Sequence, residues 1–500
     1  MRKLLALLVL SSSLSAADIP VSPASGLQAA IDSAVSGDRL LLDAGTYLEQ
    51  IDFNGKLIEI IGVQGAQATI IDGNGVGPVV RFAQAEGPAA RLSGVTVTGG
   101  FAGFGAGGIA CSLGATPTIA DVIIRNNVGK FGGGVSGSPI LERCAIYDNR
   151  ASLSNGGGVY GAPQMSHCIV ARNTVTSAHG GGLYLTGGSA SITDCLIVEN
   201  RTIFGGGGHG GGVHVSSTCN ATFERTLIAS NSASAGAFAA LGSGVFVGGT
   251  ADFNNCAVVG NRLFSASDSA GGIWGAATVS NSIVRDNDGD QLVGVGAVSY
   301  SNVAGGFLGA GIIDVDPAFV DSLAGDYHLL PGSACIDAGD PSQQDPDGTV
   351  SDMGAFPFQT LYTHSSTLES DWADLNAPQV SAALAGDQVR FDLLAGPQNA
   401  GRTYVVLAGL SGSTPGQTLP LGTVVPVNFD SLTNIVVNNL NTPAFSGFLG
   451  SLDSQGRASA TFDTIVALGP IAIGLEVTFA YVLTLPIDFA SNPVTVTVLQ

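Results

Sequence analysis

Charge is scarce in this chain. Only 11% of its 500 residues are charged, and Lys and Arg together number 18 against 39 Asp and Glu. A nucleic-acid binder displaces counterions from phosphate with cationic patches, so a formal net charge of −21 disfavours that class of partner. Uninterrupted apolar runs are also missing beyond the start. The most apolar stretch, 465–490, is broken by Gly469, Pro470, Gly474, Glu476 and Pro486, so it reads as strands rather than a membrane span of the mature chain. Seven cysteines cannot all pair within one chain, and no C-x-x-C or Cys/His spacing suggests zinc.

What is present first is an export signal. Arg2 and Lys3 precede an apolar run over 4–10, and a Ser-rich stretch ends in Ser15-Ala16-Ala17. That order of charge, apolar segment and small-residue cleavage site predicts a signal peptide over 1–17 and a secreted or cell-surface location.

A repeat follows. The phrases Cys144-Ala-Ile-Tyr-Asp-Asn149, Cys168-Ile-Val-Ala-Arg-Asn173, Cys195-Leu-Ile-Val-Glu-Asn200, Thr226-Leu-Ile-Ala-Ser-Asn231, Cys256-Ala-Val-Val-Gly-Asn261 and Ser282-Ile-Val-Arg-Asp-Asn287 share one pattern. Val122 to Asn127 fits without the Cys. Successive asparagines stand 22, 24, 27, 31, 30 and 26 residues apart, which suits one solenoid coil per repeat with the variation in loops. Two columns are always apolar: Ile119, Leu141, Met165, Ile192, Phe223, Phe253 and Val279 before the Cys position, and Ile124, Ile146, Val170, Ile197, Ile228, Val258 and Val284 after it. Period two after the Cys position is strand alternation, and the offset of three before it marks a corner. Each coil also carries a Gly run ending in an aliphatic residue, as in Gly158-Val159 and Gly182-Leu183, where glycine fits a bend or a close backbone approach. Stacked asparagines are expected to bond to each other and to turn backbone, and stacked cysteines to remain buried thiols.

Three further groups are candidates for chemistry. The residue after the Gly-run aliphatic is Ala110 and Ser136 on the first coils and then Tyr160, Tyr184, His214, Phe246 and Trp274 on successive ones, an outward aromatic stripe suited to stacking on sugar rings. The rival reading is that a loop or the C-terminal domain covers it. His179 and His209 occupy equivalent places before adjacent Gly runs and could share a metal, though no third ligand is evident. The acidic loop holding Asp340, Asp345, Asp347 and Asp352 could wrap calcium, the one cofactor the sequence points to; a solvated, Pro-braced turn is the alternative.

These repeats resemble right-handed parallel β-helix proteins of the pectin-lyase-like superfamily, which includes pectate lyases, polygalacturonases and pectin methylesterases. The Gly-Gly and Asn repeats are also similar to those of polymorphic outer-membrane proteins. Leu27 to Val35 with Gly45-Thr-Tyr47-Leu-Glu49 is similar to the superfamily's entrance, where an amphipathic helix caps the first coil. Cys335 to Asp340 with Asp352 to Phe356 looks like its closing segment. The resemblance covers about residues 20–358 and implies a right-handed parallel β-helix solenoid over 18–358 with an N-terminal capping helix. Beyond it the residues themselves read as a polar linker over 359–378 and a C-terminal β-sandwich over 379–500, so the chain is expected to be all-β. Strands at 388–394, 403–410, 458–463, 477–483 and 494–499 support the sandwich.

Fold alone does not assign activity. Gly45-Thr-Tyr47-Leu-Glu49 fits a G-x-Y-x-E pattern of pectin methylesterases, but the phrases carrying their catalytic Asp, Gln and Arg are not evident. Gly208-His209-Gly210 matches the G-H-G of polygalacturonases without its N-T-D, Asp-Asp and R-I-K partners. The best column for a lyase site stands just before the Cys position: Asp121, Arg143, His167, Asp194 and Arg225. Alternating signs on neighbouring strands equally fit cross-strand ion pairs. The leading expectation is an extracellular binding and structural protein engaging polysaccharide or cell-surface components. The alternative is a pectate-lyase-like enzyme.

Overall fold

Each repeat closes into a coil because its chain bends through residues in the left-handed backbone region. The computed structural model describes residues 16–203, 208–236, 240–265, 271–323, 325–359, 361–363, 379–381, 387–419, 423–464, 475–484 and 486–499. The expected signal segment lies outside these residues except for Ala16 and Ala17, as do Trp372 and most of the expected linker.

One coil illustrates all. Ile140–Glu142 joins a first sheet, Arg143 turns the chain at φ 49°, and Ala145–Tyr147 joins a second sheet. Asp148 turns it again at φ 54°, Arg150–Ala151 joins a third sheet, and the Gly run returns it to Val159–Gly161 in the first. Repetition builds parallel sheets of 20, 11 and 6 strands. At the first corner Asp121, Arg143, His167, Asp194 and Arg225 all hold φ between 44° and 56°. A side chain in that region costs roughly 1 kcal/mol, which the pairings of each turn must offset.

The register is one to one. Ile124, Ile146, Val170, Ile197, Ile228, Val258 and Val284 pair in order down the second sheet and are buried. The other apolar column pairs likewise in the first sheet, and both belong to one continuous core. A Cβ on Gly157 would stand 2.2 Å from the Gly181 carbonyl oxygen, so the returning backbones approach too closely for any side chain.

Polar groups inside the solenoid are satisfied by ladders. Asn149 donates its N–H and its Nδ2 to Oδ1 of Asn173 at 3.0 and 3.1 Å, and Nδ2 also reaches the Ile124 carbonyl at 2.8 Å. The same two bonds to the next Oδ1 recur from Asn127 to Asn261. In the Cys column the Cys144 N–H donates to Sγ of Cys168, and the Cys168 N–H to Sγ of Cys195, both at 3.4 Å. Ser282 and Ser301 continue the column as hydroxyl acceptors for the N–H groups of Cys256 and Ser282. All seven cysteines are free, buried thiols. Burial pushes Cys144 and Cys168 well above the ordinary thiol range and Cys256 up to about 12.

Both ends of the solenoid are finished by added chain. The helix Leu27–Ser33 lays Leu27 and Ile31 on the first coil, and the Glu49 carboxylate accepts the N–H groups of Leu27 and Gln28 at 2.8 and 2.9 Å. Tyr47 is fully buried and donates its hydroxyl to the Val21 carbonyl. The G-x-Y-x-E motif therefore fixes the cap. At the far end Tyr327, Leu329, Cys335, Met353 and Ala355 pack on Leu227, Ala229, Ala257, Val259 and Ile283, the outer face of the second sheet. That face is apolar on both sides of the pleat, a departure from simple alternation visible in the repeat phrases themselves.

The C-terminal part has mainly antiparallel sheets of four, five and two strands among the described residues, consistent with a β-sandwich. Its main strands, Asp387–Leu394, Thr403–Gly409, Arg457–Thr464, Glu476–Leu483 and Val494–Leu499, fall where alternation places them. Phe391, Phe448, Phe479 and Tyr481 fill its core. The helix Ser431–Asn438 was not anticipated. Its signal is Asp430-Ser-Leu-Thr433, a capping box in which Asp430 accepts the N–H groups of Leu432 and Thr433.

Candidate functional site: ring and corner ladders

Five outward rings stand on one column of the first sheet. Tyr160, Tyr184, His214, Phe246 and Trp274 pair in consecutive register, each beside an inward aliphatic residue. Strand spacing of about 4.8 Å sets the result: each ring lies on the next. Centroid separations are 5.5, 4.7, 4.6 and 4.8 Å, with interplanar angles of 4°, 13°, 19° and 6°. The rings thus spend their faces on one another and turn edges outward, which corrects the expectation of a flat stripe. Four are partly exposed, while His214 is only 7% exposed.

A second stack supports the first. His179 and His209 lie parallel at 4.9 Å, with His179 5.0 Å from His214 and His209 5.0 Å from Phe246. Nδ1 of His179 accepts the His209 N–H, and Nδ1 of His209 accepts the Leu241 N–H, both at 3.1 Å. An imidazolium has no lone pair to accept with, so both rings are neutral with the proton on Nε2. Burial pulls His209 below the ordinary range, His179 down to about 4 and His214 to about 3. These bonds engage Nδ1 of each ring and leave the proton on Nε2. The loop 264–270, between the coils of Phe246 and Trp274, lies mostly outside the described residues.

The first-corner column forms ion pairs. Arg143 grips Asp121 with two bonds of 2.8 and 2.9 Å, and Arg225 grips Asp194 at 2.6 and 3.1 Å while also contacting Glu224. His167 stands 3.8 Å from Asp194, with about half of its side chain exposed. At the second corner Arg172 holds Asp148 with two bonds of 3.1 Å.

The acidic loop is a set of closed turns. Asp340 accepts from the N–H and hydroxyl of Ser342, and Asp347 from those of Thr349. Asp345 accepts the Asp352 N–H, and Asp352 bridges the N–H groups of Asp337 and Phe358 at 2.7 and 2.6 Å. Burial raises Asp352 to about 6 and Asp345 in the same direction. Among the described residues no group of three His, Cys, Asp or Glu is arranged to hold a metal ion. The partners of Asp340, Asp345, Asp347 and Asp352 are N–H and hydroxyl groups of their own segment.

One outward column escaped the sequence reading. The residues just after the ladder asparagines, on the third sheet, include Arg150, Arg201 and Arg262. Reading one position past each repeat phrase shows them.

Residues 61–207 match a family model described as a right handed beta helix region. Among solved structures the chain is similar to the crystal structure of pectate lyase Pel9A, with 15% sequence identity and a TM-score of 0.41, over 69% of this chain and 97% of that one. No curated protein matches the chain. By its coil geometry and this family match, the solenoid is a right-handed parallel β-helix.

Proposed function

We propose that this is an extracellular or cell-surface β-helix protein with a binding and structural role, engaging polysaccharide along its long outer faces. One observation carries the reading: the titratable column best placed for catalysis is drawn into pairs, Arg143 with Asp121 and Arg225 with Asp194. Groups that neutralise each other on successive rungs stiffen a corner and leave no free base beside a free acid. Repeated outward columns, in contrast, offer the same contact at every coil, as a polymeric ligand requires. The ring ladder contributes edges and the two tyrosine hydroxyls. A panel of uronate polymers incubated with the protein tests the reading, since a lyase leaves an unsaturated product absorbing in the ultraviolet. Binding in glycan-gel electrophoresis without that product supports it; cleavage of any polymer overturns it.

The alternative, a polysaccharide lyase, draws on His167. It is the half-exposed member of its column, and its partner Asp194 is already committed to Arg225. Loss of ultraviolet product in His167→Ala would establish that alternative.

A further inference from the structure

Cations are few in this chain, yet three arginines share one outward column. Arg150, Thr174, Arg201, Ser232 and Arg262 pair in consecutive register down the third sheet. Arginine therefore recurs on every second rung, about 9.5 Å apart. All three side chains are exposed. Arg262 meets Asp288 at 3.2 Å, whereas Arg150 and Arg201 have no partner among the described residues. Asp148 and Glu199, on the adjoining corner, face a fourth arginine, Arg172.

Beside this column runs a second one. Ile203, Ser234 and Phe264 pair in register two residues further along the same strands. Ile203 and Phe264 are exposed and fall on the coils of Arg201 and Arg262. A groove of about 430 Å³ lies on this face, lined by Arg150, Arg172, Thr174, Thr176 and Ile203 among others.

We propose that the outer face of the third sheet is a rail for an extended polysaccharide carrying a carboxylate on alternate sugars. An extended glycan advances by about one strand spacing per sugar, so two rungs span a disaccharide. The planar guanidinium matches a carboxylate with two parallel bonds. Thr174 and Ser232, on the rungs between, meet the hydroxyls of the uncharged sugars. Exposed Phe264 and Ile203 offer apolar contact to ring faces, which the self-stacked first-sheet ladder cannot. A single small anion needs one rung, and only a linear polymer uses a straight repeat of them. The rail is separate from the ring ladder and goes beyond the proposed function by assigning a face and a charge pattern.

Titration calorimetry of the full protein with hyaluronan fragments, dextran and inorganic sulfate tests this. Hyaluronan is expected to bind and the other two are not. Arg150→Gln combined with Arg201→Gln is expected to weaken hyaluronan about ten-fold and to flatten its salt dependence, since two ionic contacts are lost. Melting should not change, because both residues are exposed and unpaired. Arg81→Gln, an exposed arginine of the first sheet, should leave hyaluronan affinity intact, which separates the rail from the other surface cations. No hyaluronan binding, dextran or sulfate binding as tightly, or an unchanged affinity in the arginine variant would overturn the proposal.

Discussion

The side-chain oxygen of Gln291 takes the place of an eighth asparagine for Asn287. Its Oε1 accepts Nδ2 of Asn287 at 2.8 Å and the Asn287 N–H at 3.3 Å, and its own Nε2 returns to the Asn287 carbonyl at 3.0 Å. The ladder that begins at Asn127 is thereby closed by a residue four positions on in the same coil. Gln291→Ala should destabilise by about 1–2 kcal/mol, the cost of leaving a nearly buried donor unmet at one end. Asn200→Ala, in the middle, severs bonds to two coils and should cost more, about 3 kcal/mol. Denaturant melts of the two variants check the order, and equal losses would show that the ladder is not a chain of dependent bonds.

The column cysteines should react slowly with alkylating reagents in the folded protein, because burial blocks access to all of them and raises the pKa of Cys144, Cys168 and Cys256. Cys168→Ser should cost little, about 1 kcal/mol, since Ser282 and Ser301 already act as the acceptor at this position. Cys168→Ala removes the acceptor of the Cys144 N–H and should cost more. Rapid native labelling of Cys168 and Cys195, or a disulfide between them, would refute the stacked thiol ladder.

Face assignment makes a sharp contrast. Ile197 is fully buried and Thr98 partly exposed on the same sheet. Ile197→Asp puts an unpaired carboxylate into the solenoid and should abolish or severely reduce folded protein, whereas Thr98→Asp should be nearly neutral. Soluble yield and melting temperature give the comparison.

The histidine stack should make stability fall with acid. His179, His209 and His214 bind protons less readily folded than unfolded, so the unfolded chain gains protons first as pH drops. Their contribution is complete above the ordinary pKa of about 6.5 and is lost as pH falls toward the folded value of about 4 for His179. Asp352 works in the opposite sense, because its raised pKa of about 6 lets the folded state take a proton first. His179→Phe should therefore flatten the slope of melting temperature against pH between about 6.5 and 4. An unaltered slope would remove the stack as its source.

Trp274→Ala with Tyr184→Ala should lower the melting temperature, because each ring lies against neighbours on the same column. Wild-type melting in that pair would mean the ladder contributes nothing to packing.

The amino-acid sequence by itself determined the coil. A repeat of about 22 to 31 residues with two invariant apolar columns and one Asn admits a single register, because shifting a strand by one residue would turn Ile197 and its column outward. The long sandwich strands were legible for the same reason. Only the tertiary structure decided what the outward columns do. Whether Tyr184 offers a sugar its face or its edge depends on the gap to the next coil, which exceeds a ring's thickness by little and so lets the rings close on one another. Whether Asp345 and Asp352 converge on an ion or cap their own turn depends on loop dihedrals that no spacing in the sequence encodes. The apolar outer face of the second sheet likewise acquires meaning only once the closing segment lies across it, joining residues about 100 apart in the chain through contacts that local periodicity cannot foresee.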